Sequence, residues 1–540
     1  MKFDFDYIVI GSGFGGSVSA MRLTEKGYTT AVMEIGNRFK KEDFPKTNWN
    51  LKKFVFAPKL GFRGIMRYTL FPHVMILSGA GVGGGSLVYA NTLYEAPDRF
   101  YKQGPWSKLL DWEKALKPHY QTAKKMMGVV DSRFEGPGDR ILKECAEELG
   151  RDHTYRPTPV AVYFGKPGEE AKDPYFNGEG PDRTGCNLCG GCMVGCRVGA
   201  KNTLDRNYLY FAEKQGAKVF PQRKVVDVRP LKGGGYEVVS EKSGAWFNKD
   251  RQVLRTRGVI FSAGVLGTMN LLHKCKSSGS LPNLSDHLGT RVCTNSESIL
   301  GVTAKDFKED YSKGVAISAS VYVDDKTHME VVRYPKGSGL ISLLAVYLTD
   351  GGGRLKRLFN FMMNFFKHPI DFIRLKWPFR WAERTSILLA MQTLENYIKL
   401  VPKKLGPFSW MTSRMEKGKE IPTYIPIANE VTRRFAEKIN GMPQSSINEV
   451  MLNAPVTAHI LGGAPMGKTR EEGVIDPFNR IHGYKDLYIC DGSMVPGNLG
   501  VNPSLTIMAM TEHAMSHIPG KENEETNIEK EKDETPIVMV

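Results

Sequence analysis

Tyr7-Ile8-Val9-Ile10 is a short β-branched run that stops at Gly11-Ser12-Gly13-Phe14-Gly15-Gly16. Apolar positions at Ala20, Met21 and Leu23 then recur with helical spacing as far as Lys26-Gly27, and a second run, Thr30-Ala31-Val32-Met33, ends on Glu34. The order predicts strand, glycine turn, helix and strand. A second glycine cluster, Gly79-Ala80-Gly81-Val82-Gly83-Gly84-Gly85-Ser86, interrupts an apolar stretch. Arg223 to Val239 predicts a hairpin about Lys232-Gly233-Gly234-Gly235, and Gly258-Val259-Ile260-Phe261 predicts a strand that ends at Ser262-Ala263-Gly264. Between about 300 and 450 the glycine punctuation thins and apolar runs lengthen, which marks a separate domain. From His459 to Ala514 the glycine-rich character returns, so the chain is expected to re-enter its first domain. The expected division is 1–110, 201–298 and 451–520 as three segments of one nucleotide-binding α/β domain, 111–200 as a connecting segment, 299–450 as a substrate domain, and 521–540 as a disordered tail.

Composition narrows the class. A chain of 540 residues with 41% hydrophobic and 24% charged positions is long enough for several folding units and has an ordinary globular balance, which excludes collagen-like, wholly disordered and small disulfide-stapled proteins. Its 56 glycines, about a tenth of the chain, exceed the usual share of about 7%. The net charge is +16, and the segment Lys521 to Glu534 is acidic, so the body is more basic still. The basic residues are dispersed and form no recognised module, so no nucleic-acid partner is expected. The N-terminus runs straight into a strand, and no run of about 18 uncharged apolar residues occurs. Eight cysteines are too few for a secreted disulfide framework, so the expected location is cytoplasmic.

Gly11, Gly13 and Gly16 fit G-x-G-x-x-G between a strand and a helix, with Glu34 at the end of the next strand. Gly11 permits the tight turn, Gly13 lets a pyrophosphate approach the backbone, and Gly16 lets the helix pack closely. Glu34 suits a ribose hydroxyl. These residues predict FAD or NAD, and the position of the unit at residue 7 favours FAD. Cys186, Cys189, Cys192 and Cys196 have a ferredoxin-like C-x2-C-x2-C-x3-C spacing, but Arg197 stands where proline is expected. Three readings stay open: an iron–sulfur cluster such as [4Fe-4S], zinc, or thiols without metal.

The second glycine cluster, followed by Leu87-Val88 and Glu95-Ala96-Pro97, resembles the flavin loop of the glucose-methanol-choline (GMC) oxidoreductases, particularly their cholesterol oxidases. Ala200-Lys201-Asn202-Thr203-Leu204-Asp205, Leu281-Pro282-Asn283-Leu284, His459-Ile460-Leu461-Gly462-Gly463, Asp491-Gly492-Ser493 and Asn502-Pro503-Ser504-Leu505 match in the same order. The resemblance implies a Rossmann-like FAD domain of GMC type assembled from discontinuous segments, plus an α+β substrate domain on an antiparallel sheet. It implies FAD contacts at Gly11, Gly13, Gly16, Glu34, Gly83, Gly84, Ser86, Asn91, Val225, Ala263, Asp491, Gly492, Asn502 and Pro503. One departure is that Tyr89-Ala90 stands where the family has Asn-Gly, and Asn91 follows two positions later.

The activity implied is oxidation of the 3β-hydroxyl of cholesterol or a related sterol, with oxygen or an electron carrier as acceptor. The related alternative is a dehydrogenase of another lipid alcohol that passes electrons to a quinone or carrier through the cysteine cluster. Alcohol oxidation needs a base for the hydroxyl proton and a polar group to orient the oxygen. His459 and Asn502 match the family's pair in those roles. Glu383 and Glu395 lie where an isomerising glutamate is sought, with no motif to support either. Finally, Arg354 to Trp381 is dense in aromatics, methionines and basic residues. It is either a core helix or an interfacial helix in peripheral contact with a membrane, with Arg354, Lys356 and Arg357 among its lipid-facing charges.

Overall fold

The computed structural model describes residues 2–406 and 408–522, so most of the expected disordered tail lies outside the described residues. Three distant stretches of chain meet in one seven-stranded sheet. The fully buried Thr30–Met33 strand and the Gln252–Phe261 strand flank Phe5–Ile10 in parallel, with Ile10 opposite Met33 and Phe261. Leu487–Ile489 then pairs with Gln252–Phe261, Val259 lying opposite Leu487. Arg223–Pro230 and Tyr236–Lys242 form the antiparallel hairpin that the glycines at 233–235 predicted. Strands buried on both faces carry unbroken Val, Ile and aromatic runs, because helices cover both sides. Here the helix Phe14–Glu25 lies against the C-terminal helix Ser504–Ser516, whose first twelve residues are all buried.

A second seven-stranded sheet is antiparallel throughout. Its central strands are Ser298–Ala304, Thr385–Gln392 and Thr327–Val332, and Gly441–Ser446 adds the Ala345–Tyr347 edge. The helix Pro426–Lys438 packs on it through Ala428, Val431 and Phe435. The hairpin Ile398–Leu405 with Phe408–Met415 belongs instead with the first core, where Ile398 and Leu400 are buried and Ile398 bridges to Val292. A small third sheet aligns Val456–Thr457 with Val74–Gly79, and the Thr457 hydroxyl donates to the Thr294 carbonyl at 3.0 Å, which brings the segment leading to His459 beside the chain that enters Ser298–Ala304. Among the described residues no helix is long and apolar enough to cross a membrane.

Candidate active site

The two glycine clusters fold onto each other. Gly11 has φ +101°, and a Cβ there would stand 2.2 Å from the Ser262 carbonyl oxygen; Gly84 has φ +54°, and a Cβ there would stand 2.5 Å from Gly13 Cα. Only residues without a side chain allow backbones this close. Glu34 ties the clusters together. Its carboxylate accepts the Ser12 N–H at 3.0 Å, the Ser12 hydroxyl at 2.7 Å, the Gly36 N–H at 2.9 Å and the Gly81 N–H at 3.2 Å. Ser86 accepts the Leu204 N–H at 3.0 Å and donates to the Gly83 carbonyl at 2.6 Å.

This cradle fits a dinucleotide. The helix at Phe14–Glu25 starts on Gly13 without a side-chain cap, so its first N–H groups are free for phosphate, and nothing lies within 4 Å of a Cβ placed on Gly13. The Arg223 N–H donates to the Glu34 carbonyl, which brings Val225 alongside the same end of the sheet. The Ala263 N–H donates to Thr268 Oγ1, which in turn donates to Asp491, while Gly492 receives the Gly462 N–H. Burial pushes the Asp491 carboxyl up. Asn91 has φ +71° and is fully buried, and neither of its side-chain polar atoms has a partner among the described residues. Pro503 opens the uncapped Ser504–Ser516 helix directly after Asn502.

His459 and Asn502 come together, His459 Nε2 lying 3.5 Å from Asn502 Nδ2. Two carboxyls that the sequence did not single out complete the group. Glu297, wholly buried, contacts His459 Nδ1 with one oxygen and accepts the Ala458 N–H at 2.8 Å with the other. Asn502 Nδ2 donates to Glu330 at 3.4 Å. Positive φ at Asn295 and Ser296 turns the chain so that Glu297 points inward. Asn295 also bonds the Val501 carbonyl at 2.9 Å and the Gly500 N–H at 2.7 Å, which fixes Asn502 from behind. Glu383 and Glu395 lie elsewhere: Glu383 receives the Gly337 N–H, and Glu395 pairs with Lys419.

Burial sets the electrostatics. It lowers the His459 imidazole to about 3 and raises the Glu330 carboxyl to about 8, so at neutral pH the imidazole is neutral and Glu330 carries a proton. The Glu297 contact acts on His459 in the opposite sense, by favouring an imidazolium when one forms. Asn502 Oδ1, Glu330 Oε1 and both ring nitrogens of His328 are buried without a hydrogen bond among the described residues, His328 Nδ1 standing 3.9 Å from Glu330 Oε1. Buried polar atoms left without hydrogen bonds are what a bound hydroxyl would satisfy.

The cysteine expectation changes. Among the described residues no group of three or more His, Cys, Asp or Glu side chains is placed to hold a metal ion. Cys186, Cys189, Cys192 and Cys196 line a narrow cavity, and the backbone N–H groups of Leu188 and Gly199 donate to the Cys186 and Cys196 sulfurs at 3.4 and 3.3 Å. Burial raises the Cys186 thiol to about 12 and the Cys192 thiol to about 11, which keeps both protonated. Buried Lys201 locks this loop to the flavin-loop segment by donating to the Leu87, Tyr89 and Cys192 carbonyls at 3.0, 2.9 and 2.8 Å. Through Lys201 the cysteine segment is packed against the flavin-loop segment.

Comparison with known proteins agrees with this geometry. The GMC oxidoreductase family description matches residues 356–511. The chain is 49% identical over 531 residues to a cholesterol oxidase of Acinetobacter baumannii, covering 96% of this chain and 95% of that one. It is 47% identical to a cholesterol oxidase of Mycobacterium tuberculosis, covering 96% and 92%. An FAD-dependent oxidoreductase from Chaetomium thermophilum shares the fold with a TM-score of 0.61 at 15% identity, covering 97% of this chain and 100% of that one. With near full-length identity of this order, and a cradle that fits the dinucleotide, the chain belongs to the GMC oxidoreductases and is an FAD-dependent alcohol oxidoreductase.

Proposed function

We propose that the protein oxidises the 3β-hydroxyl of cholesterol or a related sterol to the ketone, with dioxygen as the acceptor, and that it meets this substrate as a peripheral guest on a lipid surface. The observation that carries the reading is the buried chain Glu297, His459, Asn502, Glu330, which links the Thr327–Val332 strand of the second sheet to the start of the Ser504–Ser516 helix. The names of the two cholesterol oxidases support the substrate class and the acceptor.

The residues divide the work as follows. Glu297 accepts a hydrogen bond from the His459 Nδ1–H, which leaves Nε2, on the Asn502 side, unprotonated as a base for the substrate hydroxyl. Asn502, with Oδ1 free and Nδ2 shared between His459 and Glu330, orients the alcohol oxygen. As the C–H bond breaks, the O–H proton passes to Nε2, and the new imidazolium is stabilised by the Glu297 carboxylate. FAD would be held by Gly11, Gly13, Gly16, Glu34, Gly83, Gly84, Ser86, Asn91, Val225, Ala263, Asp491, Gly492 and Pro503, and when bound would supply the acceptor for the substrate hydride, with dioxygen as the final acceptor and hydrogen peroxide as the product. Protonated Glu330 keeps a second charge out of the pocket and has an O–H to offer the same oxygen.

The test is anaerobic flavin bleaching by cholesterol, followed in air by oxygen uptake and peroxide release. Wild type should bleach within the mixing time of a manual assay. His459→Ala should retain FAD and lose bleaching by at least a hundredfold. A wild type that retains FAD but is not bleached by any sterol sinks the substrate assignment.

A further inference from the structure

The segment Arg354 to Arg380 forms two consecutive helices, Arg354–Lys367 and Pro369–Lys376, and the first is inverted relative to a core helix. Its polar side faces the protein. Arg357, 1% exposed, donates to the Thr423 and Glu449 carbonyls at 3.0 and 2.8 Å and to Asn453 Oδ1 at 3.2 Å. Asn364, two turns on and on the same face, donates to the Leu348 carbonyl at 3.1 Å. These bonds fix the rotation of the helix, and its apolar stripe Leu355, Phe359, Met362 and Phe366, at spacings of four, three and four, is turned to solvent. Leu355 is 84% and Phe366 69% exposed. The second helix continues the stripe with Ile370 and Ile373, and is clasped to the first by edge-to-face contacts of Phe372 with Phe361 and Phe365. The expectation that Arg357 faces lipid is therefore corrected, as is the core-helix reading.

So large an exposed apolar surface needs a cover. Charge selects which cover: the segment holds seven Lys and Arg against one acid, Asp371, which is itself paired with Lys305 and Arg374. Arg354, Lys356 and Lys367 are exposed at the two ends of the first helix. An apolar stripe in the plane of the surface with basic residues at its margins matches an interfacial helix on acidic headgroups.

We propose that these two helices dock the protein on an anionic lipid bilayer and hold the active site against it. Arg357 carries the connection. Its partners Glu449 and Asn453 belong to the segment that leads to His459, and the Glu449 carboxyl accepts the Ser298 hydroxyl and the Ile299 N–H beside Glu297. The inference rests on the proposed lipid-borne substrate for its purpose but not for its test.

The test is co-sedimentation of the full-length FAD-loaded protein with vesicles of phosphatidylcholine alone or mixed equally with phosphatidylglycerol. The variants are Phe359→Asp/Phe366→Asp and Lys356→Glu/Lys367→Glu. Wild type should bind the mixed vesicles at least tenfold more tightly than the neutral ones, and each variant should lose at least tenfold on mixed vesicles. Both variants should oxidise cholesterol presented in cyclodextrin at the wild-type rate, which separates failure to dock from failure of the chemistry. Wild type that ignores both vesicles, or variants that bind as well as wild type, would overturn the proposal. So would a wild-type dimer in light scattering that the Asp variant dissolves while no vesicle binding is seen.

Discussion

Replacing Glu297 by glutamine keeps the shape of the side chain and an acceptor oxygen beside His459 Nδ1 but removes the charge. The neutral imidazole of the resting enzyme tolerates this change, because burial already disfavours its protonated form. The transition state does not, because proton transfer to Nε2 creates an imidazolium in a buried pocket whose counter-charge has gone. With charge centres about 4 Å apart and an effective dielectric constant of about 20, the lost attraction is about 4 kcal/mol. At about 1.4 kcal/mol per decade this is roughly a thousandfold in rate. The glutamine hydrogen bond recovers a part, so the expected loss is between about a hundredfold and a thousandfold. The assay is stopped-flow flavin reduction by cholesterol in cyclodextrin under nitrogen, with FAD content and melting temperature measured alongside. Glu297→Asp should recover part of the rate, and the pH profile of Glu297→Gln should differ from that of wild type. A merely structural carboxyl would lower FAD content and stability instead and leave the profile in place. Glu297→Gln reducing its flavin within threefold of the wild-type rate, with FAD retained, refutes the role given to the carboxylate.

Glu330 makes a stability prediction. Its folded carboxyl titrates near 8 against an ordinary 4.5, because burial penalises the charge. The folded state thus holds a proton that the unfolded chain releases, and stability falls as pH rises from about 4.5 to about 8, with an upper bound of order 5 kcal/mol. Glu330→Gln mimics the protonated form, so denaturant titrations should show the variant gaining on wild type from pH 5 to pH 8; an equal difference at both pH values refutes the burial argument. For the cofactor cradle, Gly13→Ala meets no protein atom within 4 Å, whereas Gly11→Ala meets the Ser262 carbonyl at 2.2 Å in a backbone conformation that disfavours alanine. Gly13→Ala should therefore fold with wild-type circular dichroism yet lose FAD by absorbance ratio, while Gly11→Ala should fail to fold; a Gly13→Ala protein with full FAD content would place the pyrophosphate elsewhere.

The local glycine patterns were legible in the chain because each lies within one turn, where spacing and geometry are nearly the same thing. Gly11, Gly13, Gly16 and Glu34 carry their meaning in thirty residues of sequence, and the return of glycines after His459 reveals a chain re-entering its first sheet. His459 and Asn502 were legible through the family's motifs, and the structure brings them to 3.5 Å. Glu297 and Glu330 were not. Glu297 stands 162 positions from His459, and Glu330 stands 172 positions from Asn502. Glu330, inside the Thr327–Val332 strand, reads as a surface acid until the sheet is seen to bury both faces, and Glu297, in the turn before Ser298–Ala304, carries no local signal at all. The cysteine quartet had the spacing of a cluster, but spacing along the chain does not set where sulfurs point, and among the described residues the fold gathers no three of them as a metal-holding group. The Arg354–Lys367 helix makes the same point about direction. Its amphipathic pattern was plain in the sequence, but periodicity is symmetric with respect to inside and outside. The acceptors around Arg357, with the Leu348 carbonyl that receives Asn364, turn the apolar stripe outward, because a guanidinium withdrawn from water needs those bonds and the fold supplies them on that side.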